Sequence, residues 1–596
     1  MGLLVLLAIP LMVAVGVLHH PRWYPAGDLA QVELRVRDVG SRHPPLIGMA
    51  GRIGSLAERG SHPGPLGFWA LWPLYRLLGE TAWGMQVASA SLHVVAMAVI
   101  LWTARRRGGV PIVLGVAAVL ALLSRGYGPL TLTESWNPFL PVLWWAAFLL
   151  AAWSVVCDDL VLLPVAAFAG SFCLQAHLSY GTLILGLGGL TAGVVLLGTY
   201  RRRRNPRVMR HVARCVVAAT VIGVLAWLPP LIDQLVHSPG NLSTLWDSYV
   251  RPTETIGGRR GLEVLLGHLS PWRLVTGRLG THEWLGTGSL VPGVLLVAAW
   301  AACVVLARRL RQSALLRLDL VLGVSLLLGW AWTSRISGPS ILWYWLVLWG
   351  WAISGLMLLA IGWTAIAFLA RHVAVSSARR GAGALGVALV ATVVLFTGLF
   401  VRDAAYVGYT GDLPKRMNML LPPTVDALDR GFAPGGGRDG RYLVTWADPL
   451  TSGIKAWGLI NELDRHGFHV GADKRFRGPV TAHRVMSRET ATARVHLAIG
   501  PDIEKWQATP GAKQVAYADP RGPSERADYD RLHSQVIREL RHAGLFEMIP
   551  QVDDAPGAIA FNPRVPRPVV RKLARMLVLG LPEAVFIAPP RAVTPD

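Results

Sequence analysis

The segment between Trp23 and Trp69 has a high density of side chains that could do chemistry. Its acidic, basic and imidazole groups lie beside a run of prolines, and they include Asp28, Glu33, Arg35, Arg37, His43 and His62. A carboxylate can accept a proton from a hydroxyl group, and guanidinium or imidazole groups can stabilise a phosphate. The pattern therefore predicts a site in which an acidic residue deprotonates a hydroxyl group beside a phosphate-bearing ligand.

Asp28 is the predicted proton acceptor of this segment. It follows Gly27 and could equally cap a helix that begins one residue later, and the two roles are compatible. Glu33 and Arg37 are four residues apart, which favours a surface ion pair on one face of a short helix. Together with Arg35, they are also candidates for binding the substrate. Asp28 is thus predicted to be catalytic and the other three to contact the substrate.

Two histidines occur in motifs that would place them on the outer side of a membrane. In SHPGP, at 61–65, two prolines restrain the backbone around His62, which could donate to a phosphate oxygen or cap the following helix. In LQAHLSY, at 174–180, His177 lies at the outer end of an apolar run. An ionisable residue there indicates a functional site in a membrane protein, although a structural role in the core is equally compatible with the pattern.

Polar and aromatic residues in two other loops are candidates for sugar binding. The motif TESWNPFLP, at 133–141, contains Glu134, Trp136 and Asn137 at the start of a predicted span. Asn137 could present its amide to a sugar hydroxyl, whereas Trp136 could belong to an interfacial aromatic belt. Near the last outer loop, aromatic residues accompany a guanidinium group, which suits sugar stacking or an interfacial girdle. The candidates in that loop are Arg335 and Tyr344.

Composition indicates a polytopic membrane protein. Hydrophobic residues make up 53% of the 596 residues and charged residues only 16%, with a mean hydropathy of +0.42. A soluble globule could not bury this much apolar surface. Apolar runs near the roughly 20 residues needed to cross a bilayer predict about eleven spans, at 2–19, 83–104, 110–124, 139–157, 159–176, 181–200, 211–232, 288–307, 314–333, 341–370 and 383–401.

The segment at 66–79 is shorter than a span and contains Pro73 and Arg76. These features predict an interfacial helix lying along the membrane surface. The short loops rich in arginine fall on one face of the predicted topology, which the positive-inside rule assigns to the cytoplasm. The plasma-membrane protein would then have a cytoplasmic N-terminus, a first outer loop at 20–82 and an extracytoplasmic C-terminal tail.

The formal net charge of +22 agrees with this topology and with contact to anionic membrane lipids. It therefore favours membrane lipids as partners and does not predict a nucleic-acid partner. Arginines in the predicted outer loops have two explanations, adhesion to phospholipid head groups or binding of a phosphate on the substrate.

The tail differs from the rest of the chain in its content of proline, glycine and charged residues. Its runs predict a small α/β domain at 402–596, following a transmembrane domain at 1–401. We expect the tail to recognise the acceptor or to support the transmembrane domain. The strand-like and helix-like runs are 442–446, 495–499, 453–466 and 526–543.

The order of these motifs resembles a known family. An acid in the first outer loop, an HPxP turn leading into an interfacial helix that ends LYRLLG, and paired spans with basic cytoplasmic loops are similar to the GT-C membrane glycosyltransferases. Within them, the chain resembles the dolichyl-phosphate-mannose protein mannosyltransferase and aminoarabinose transferase group. ELRVRDV, SHPGPL, WNPFLP and QAHLSY resemble an uncharacterised actinobacterial branch with that fold. The resemblance covers roughly residues 1–400.

The resemblance implies a hexosyl- or pentosyltransferase that takes a sugar from a polyprenyl-phosphate donor. The acceptor would be an extracytoplasmic glycan, lipid or protein, for example in the cell wall, and the implied base is Asp28. The chain departs from the family pattern in having a single acid at this position and no lysine in HPGPLG. We predict no cofactor and no metal, since clustered carboxylates are missing from the predicted outer loops.

Two other classes of function remain open. A transporter or flippase of lipid-linked sugars would share the many spans, outer arginines and aromatic girdles, but it should show internal repeats or charges buried in its spans. The sequence contains no recognisable repeat, and charges inside the predicted spans are rare. A catalytically inactive scaffold whose tail binds a cell-wall polymer is the third possibility.

Overall fold

The computed structural model describes residues 1–53, 60–251, 254–276, 289–338, 343–372, 375–409, 413–431, 436–447, 453–519, 521–554, 556–560, 562 and 564–592. Parts of the predicted outer loops, at 54–59, 252–253 and 277–287, and residues 288, 341 and 342 of two predicted spans lie outside this range. The chain forms two compact units. One contains Met1–His20 and Asp38–Gly408, and the other contains Pro21–Arg37 and Tyr409–Asp596.

The first unit is helical apart from one small antiparallel pair, β1 (Ala50–Ile53) and β2 (Gly60–Ser61). Short 3₁₀ turns occur at Leu160–Leu162, Leu178–Tyr180 and Tyr344–Val347. Its α-helices are Gly2–Val17, Leu66–Leu77, Ala82–Thr133, Val142–Val156, Leu163–Ala176, Gly181–Arg201, Pro206–Val236, Asn241–Val250, Gly257–His268, Pro271–Thr276, Val291–Arg309, Ser313–Thr333, Trp349–His372 and Val375–Ala405.

The first unit makes the chain a multi-pass membrane protein. Within the described residues, seven helical segments are long and apolar enough to cross a membrane, and three shorter helices are also apolar. The predicted number of about eleven spans stays a prediction. The long segments are Ala82–Thr133, Leu178–Arg201, Pro206–Val236, Val291–Arg309, Ser313–Thr333, Tyr344–Arg371 and Gly383–Ala405, and the shorter ones are Gly2–Val17, Val142–Val156 and Leu160–Ala176.

Helix Ala82–Thr133 has 52 residues, about 78 Å at 1.5 Å per residue, more than twice the roughly 30 Å of bilayer hydrocarbon. Its backbone is non-helical at Gly108 and at Gly109, where φ is 63°. Only glycine adopts this left-handed conformation without strain, and Pro111 follows closely. The chain therefore bends between the predicted spans 83–104 and 110–124.

The predicted interfacial segment at 66–79 forms helix Leu66–Leu77 with Pro73 inside it. It is not among the seven long apolar segments. The predicted helix is therefore confirmed, and its position on a membrane surface stays a prediction.

The second unit is built on a mixed five-stranded sheet, which confirms the α/β character predicted for the tail. The strands are β3 (Arg441–Trp446), β4 (His469–Gly471), β5 (Ala493–Ile499), β6 (Lys513–Ala518) and β7 (Glu583–Ala588). Their order is β4-β3-β5-β7-β6, in which β3 runs parallel to β4 and β5, and β7 runs antiparallel to β5 and β6. The extracytoplasmic location of this unit stays a prediction.

The helices of the second unit include both of those predicted from the tail. Residues 453–466 form helix Ile454–Arg465, hereafter the domain helix, and 526–543 lie almost wholly in helix Pro523–His542. The others are Leu413–Asp429, Arg477–Val480, Asp502–Gln507, Gln551–Asp554, Pro556–Ala560 and Arg567–Leu579, with 3₁₀ turns at Lys474–Phe476, Ala482–Arg484 and Phe546–Met548.

A short stretch of the predicted first outer loop is part of the second unit. Helix Gly27–Asp38, hereafter the loop helix, contributes Ala30 and Leu34 to a hydrophobic core that also contains Leu420, Trp457 and Ile460. The sequence-based division placed all of 1–401 in one domain, whereas the structure groups Pro21–Arg37 with the C-terminal sheet.

Candidate functional site

Glu33 of the loop helix is fully buried, with 0% of its surface exposed. Its Oε1 accepts from Arg465 Nη2 at 2.6 Å and from Arg37 Nη2 at 3.4 Å, and its Oε2 accepts from Asn461 Nδ2 at 2.9 Å. The predicted pair between Glu33 and Arg37 is therefore present, but the expectation that it lies on the surface was wrong. All residues from Ala30 to Val36 are buried, because the helix packs into the core.

Arg37 of the loop helix also contacts a second carboxylate, that of Asp464 on the domain helix. Its Nη1 donates to Asp464 Oδ1 at 2.5 Å and its Nη2 to Asn461 Oδ1 at 3.1 Å. Arg484 donates from Nε to Asp464 Oδ2 at 2.8 Å, and Arg465 pairs with Glu462 at 2.5 Å. Glu462 also accepts from Arg22 Nη2 at 3.0 Å, so three carboxylates face four guanidinium groups in one network.

The network holds Glu33 and Asp464 in the charged form. Burial by itself would raise the pKa of Glu33, but the charges of Arg465 and Arg37 more than compensate, so the pKa lies below its ordinary value. The pKa of Asp464 is lowered in the same way, because Arg484 and Arg37 outweigh the effect of burial. These groups have a structural role in the second unit, and we do not retain Glu33 and Arg37 as substrate ligands.

Asp28 and Arg35 occupy different positions on the loop helix. The helix begins at Gly27, so Asp28 lies in its first turn rather than at the residue before it. A carboxylate there is stabilised by the positive end of the helix dipole, and Asp28 is exposed to solvent. Arg35 is 9% exposed and donates to the Gly478 carbonyl at 3.1 Å, which favours a structural role for it as well.

In the first unit, His62 joins two of the predicted motifs. Its Nδ1 accepts a hydrogen bond from the backbone N–H of Leu178 at 3.1 Å, and its ring lies 4.7 Å from the ring of His177. Burial lowers the pKa of His62 to about 4. The neutral ring therefore carries its proton on Nε2 and can donate from that atom. Its alternative role as a cap was wrong, because helix Leu66–Leu77 has no side-chain cap.

His177 is also held as a neutral imidazole. It is 5% exposed, and its Nδ1 accepts from the backbone N–H of Ser179 at 3.3 Å and lies 2.7 Å from Ser179 Oγ. Burial and the neighbouring His62 hold the pKa of His177 well below its usual value. The buried His177 and the partly buried His62 thus form one cluster that presents N–H donors rather than positive charges.

The WNPFLP motif meets the same region. Asn137 donates from Nδ2 to the carbonyl of Ala176 at 3.3 Å, directly before His177 in sequence. Trp136 contacts Trp345 with ring centroids 4.9 Å apart, and Trp345 stacks on Trp343 at 5.7 Å. Four segments that are distant in sequence therefore place histidines, an amide and indole rings close to one another.

Glu134 adds an acidic group to this region, just beyond the end of helix Ala82–Thr133. Burial raises the pKa of its carboxyl group to about 8, so the group is largely protonated at neutral pH. It lies within electrostatic range of Tyr344, whose ring packs against Trp345 with centroids 5.5 Å apart. Glu134 can therefore act as a hydrogen-bond donor.

Arg335 is held by a different part of the first unit. Its guanidinium group lies over the ring of Tyr249, 4.3 Å from the centroid, and donates to the Tyr249 carbonyl. The structure thus connects Arg335 with helix Asn241–Val250.

Two buried amides that the sequence analysis missed position the SHPGP turn. Asn241 accepts from Ser61 N–H at 2.8 Å and donates to the Ser61 carbonyl at 3.1 Å. Gln175 accepts from Leu66 N–H at 3.4 Å and donates to the Ala226 carbonyl at 2.8 Å. The only indication of the role of Gln175 in the sequence is its position, two residues before His177.

The described residues contain no group of three or more His, Cys, Asp or Glu side chains suited to holding a metal ion. The predicted lack of a metal stays a prediction, as does the lack of a cofactor.

Comparison with known proteins finds similarity to solved structures. No family model and no curated protein matches the chain. ArnT from Cupriavidus metallidurans is similar in its apo state, with 14% identity and a TM-score of 0.47, and bound to undecaprenyl phosphate, with 16% identity and a TM-score of 0.49. Each similarity covers 86% of this chain and 95% of the other.

A third similar structure is the archaeal oligosaccharyltransferase AglB from Archaeoglobus fulgidus, in complex with an inhibitory peptide and a dolichol-phosphate. The similarity covers 87% of this chain and 73% of AglB, with 10% identity and a TM-score of 0.39. At these values the similarities assign no role to any residue of this chain, and what its site residues do must be argued from their own geometry.

Proposed function

We propose that this chain is a membrane glycosyltransferase of GT-C type that transfers a sugar from a polyprenyl phosphate to an extracytoplasmic hydroxyl group. The observation that carries the proposal is the meeting of three motifs in the first unit. His62 of SHPGP contacts Leu178 and His177 of QAHLSY, and Asn137 of WNPFLP contacts Ala176. The proposal covers transfer of either a hexose or a pentose, and the acceptor can be a glycan, a lipid or a protein.

The proposed chemistry requires charge stabilisation more than acid catalysis. The leaving group is a phosphate monoester, which is already a stable anion, so it needs hydrogen-bond donors aimed at its oxygens. The Nε2–H of His62 supplies such a donor in this proposal, and His177 supports the turn that holds it. Protonated Glu134 would donate to a sugar or phosphate oxygen without adding negative charge.

Recognition of the sugar is assigned to the aromatic group beside Glu134. The rings of Trp136, Trp343 and Trp345 form one continuous contact, and aromatic faces suit the apolar face of a sugar ring. Asn137 could share its amide with a sugar hydroxyl. These assignments rest on the contacts within the first unit.

Asp28 remains the proposed general base. It would accept the proton of the acceptor hydroxyl as that oxygen attacks the anomeric carbon and the bond to the phosphate oxygen breaks. The proposal is supported by its exposed position in the first turn of the loop helix and by the family resemblance. General-base assistance of this kind contributes about 10²–10⁴-fold to the rate.

The donor can be identified by extracting lipids from the purified full-length protein and analysing them by mass spectrometry. We expect a polyprenyl-phosphate sugar, and transfer of that sugar to an extracytoplasmic acceptor preparation in proteoliposomes. Movement of the intact lipid-linked sugar across the bilayer without transfer would instead support a flippase.

Single-residue variants then test the site. The variant His62→Asn keeps an acceptor that can replace Nδ1 but lacks Nε2–H, so transfer should fall by about 10²-fold with little change in stability. The matched control is His43→Asn in the same loop, where the side chain is exposed and activity should be unchanged. Wild-type activity in Asp28→Asn would contradict the assignment of the base.

A further inference from the structure

Helix Arg567–Leu579 of the second unit carries a concentration of positive charge that the proposed glycosyl transfer does not use. Its 13 residues include three arginines and one lysine and no acidic residue. The sequence contains no aspartate or glutamate anywhere from position 555 to position 582. The neighbouring helix Pro523–His542, in contrast, has four acidic and four basic residues. The two helices therefore differ sharply in net charge although they share one hydrophobic core.

The three arginines of this helix form a row on its solvent side. Arg567, Arg571 and Arg575 follow one another at intervals of four residues, and all three are exposed. At 1.5 Å per residue the row extends over about 12 Å. The opposite side of the helix packs into the core shared with Pro523–His542, through Val569, Leu573 and Met576. These three arginines are hereafter the arginine row.

The charge of the arginine row is not neutralised by neighbouring carboxylates. Two other cations near it have partners, since Lys572 pairs with Glu539 and Arg564 pairs with Glu547 at 3.3 Å. Among the described residues, no carboxylate forms an ion pair with an arginine of the row. Unneutralised guanidinium groups attract anions, and the row is longer than one phosphate group. An extended array of anionic groups therefore fits it best.

The chain itself keeps this helix within reach of a membrane surface. Arg416 is buried and donates from Nη2 to the carbonyl of Leu579, the last residue of the helix, at 3.3 Å. Arg416 follows Ala405, where the last membrane-length segment ends, by only eleven residues of sequence. Eleven residues span at most about 40 Å even when fully extended. The head groups of the bilayer are therefore an anionic array that the arginine row can reach.

An exposed apolar side chain on the same side of the helix favours lipid over a soluble polymer. Val578 is 69% exposed and follows Arg571 by seven residues, which places both on one face of a helix. On a membrane surface, cations of such a face contact head groups while apolar side chains enter the boundary with the acyl chains. A soluble polyanion would leave the valine in water.

We propose that the second unit binds anionic phospholipid head groups through the arginine row, with Val578 at the boundary of the acyl region. The guanidinium groups pair with lipid phosphates, and the bilayer is the one that the first unit crosses. The inference does not depend on the proposed function, because it uses only the membrane-spanning character of the chain and the charges of this helix.

Fluorescence lifetimes of the full-length protein in nanodiscs test this surface. A fluorescent maleimide is attached to Ala574→Cys, an exposed position beside the row, in a background without the native cysteines, and a quencher is attached to the lipid head groups. Quenched label should predominate with phosphatidylglycerol present and be minor in phosphatidylcholine alone. Salt at about 1 M, where screening acts within roughly 3 Å, should release it. A label at Ser534→Cys on helix Pro523–His542 should not respond to lipid charge.

Glutamine variants test the arginines themselves. Replacing all three arginines of the row by glutamine should lower the ratio of quenched to unquenched label about 10²-fold. The matched control Arg531→Gln/Arg538→Gln/Arg541→Gln removes the same charge from exposed positions of helix Pro523–His542 and should leave the ratio unchanged. Both variants should unfold at the wild-type temperature, because all six side chains are on the surface.

Equal quenching at Ala574→Cys in the two lipid compositions would overturn the electrostatic contact, and an equal response at Ser534→Cys would overturn the choice of surface. If added sodium polyphosphate changes the emission of the label whereas phosphatidylglycerol does not, the partner is a soluble polyanion and the membrane assignment is wrong. The lipid and salt comparisons use the unsubstituted row, so they decide the proposal even if the triple variant unfolds.

Discussion

At the residue scale, Glu33 shows what spacing can and cannot indicate. The four-residue separation correctly predicts its contact with Arg37. It contains no information about Arg465 and Asn461, more than 400 positions away, which surround the same carboxylate. Those partners turn an expected surface pair into the centre of a buried network.

Replacing Glu33 should therefore destabilise the second unit. In Glu33→Gln the free energy of unfolding should fall by roughly 3 kcal/mol, at the lower end of the range for breaking a buried ion pair, because Arg465 and Arg37 keep other carboxylate partners. Urea-dependent proteolysis of the full-length protein measures this change at sites in the C-terminal sheet.

The control for that variant is Asp528→Asn. Asp528 pairs with Arg531 at 2.6 Å on an exposed helix face, and its loss should change stability by less than about 0.5 kcal/mol. If Glu33→Gln unfolds like the wild type but loses sugar transfer, Glu33 binds the substrate after all.

The same network predicts acid sensitivity. Because the native pKa values of Glu33 and Asp464 are lowered, their stabilisation is complete above the unfolded values near 4 and is lost as pH falls through the lower native values. The opening free energy of the second unit, taken from hydrogen exchange rates divided by the intrinsic rate at each pH, should therefore be steady between about pH 5 and 7 and fall below about pH 4. The fall should be smaller in Glu33→Gln, and an identical acid response in that variant would exclude Glu33 as a contributor.

At the element scale, the break in helix Ala82–Thr133 depends on one backbone conformation. Gly109 has φ of 63° and no heavy atom within 4 Å of the position of an added Cβ. Substitution there tests the backbone alone, because no side-chain clash contributes.

The variant Gly109→Ala should cost about 1–3 kcal/mol, because a positive φ with ψ of −149° is a conformation that is essentially restricted to glycine. Gly188 is a matched control, since it lies within helix Gly181–Arg201 and also has open space around its Cβ position. Gly188→Ala should instead stabilise by about 0.5–1 kcal/mol. Unfolding in mixed detergent micelles measures both, and equal stabilisation would mean that the helix is continuous at Gly109.

At the scale of the whole molecule, the predicted orientation can be tested with single cysteines. Ser534 and Ser313 are both exposed, in the C-terminal unit and after the basic loop at 308–311 respectively. In a background without the four native cysteines, an impermeant maleimide should label Ser534→Cys in intact cells and Ser313→Cys only after permeabilisation. The reverse pattern would place the C-terminal unit in the cytoplasm.

Local composition and sequence period are sufficient to predict several features of this protein. Apolar runs identified most of the membrane-length helices, and alternating and amphipathic runs located β3, β5 and the domain helix close to their observed limits. These predictions succeed because burial of one face of a helix or strand leaves a periodic hydrophobic pattern in consecutive residues. The order of the motifs suggests that His62, His177 and Asn137 come together, but it does not show where they meet.

Which ionisable residues remain available for chemistry depends on contacts that form only in the folded protein. Residues 21–37 belong to the C-terminal unit, and the domain helix therefore supplies the buried partners of Glu33 and Arg37. Glu134 and His62 acquired their shifted pKa values from surrounding apolar groups that are distant in sequence. Burial and charge compensation are sums over neighbours in space, so a linear pattern can identify the titratable groups but cannot assign their protonation states.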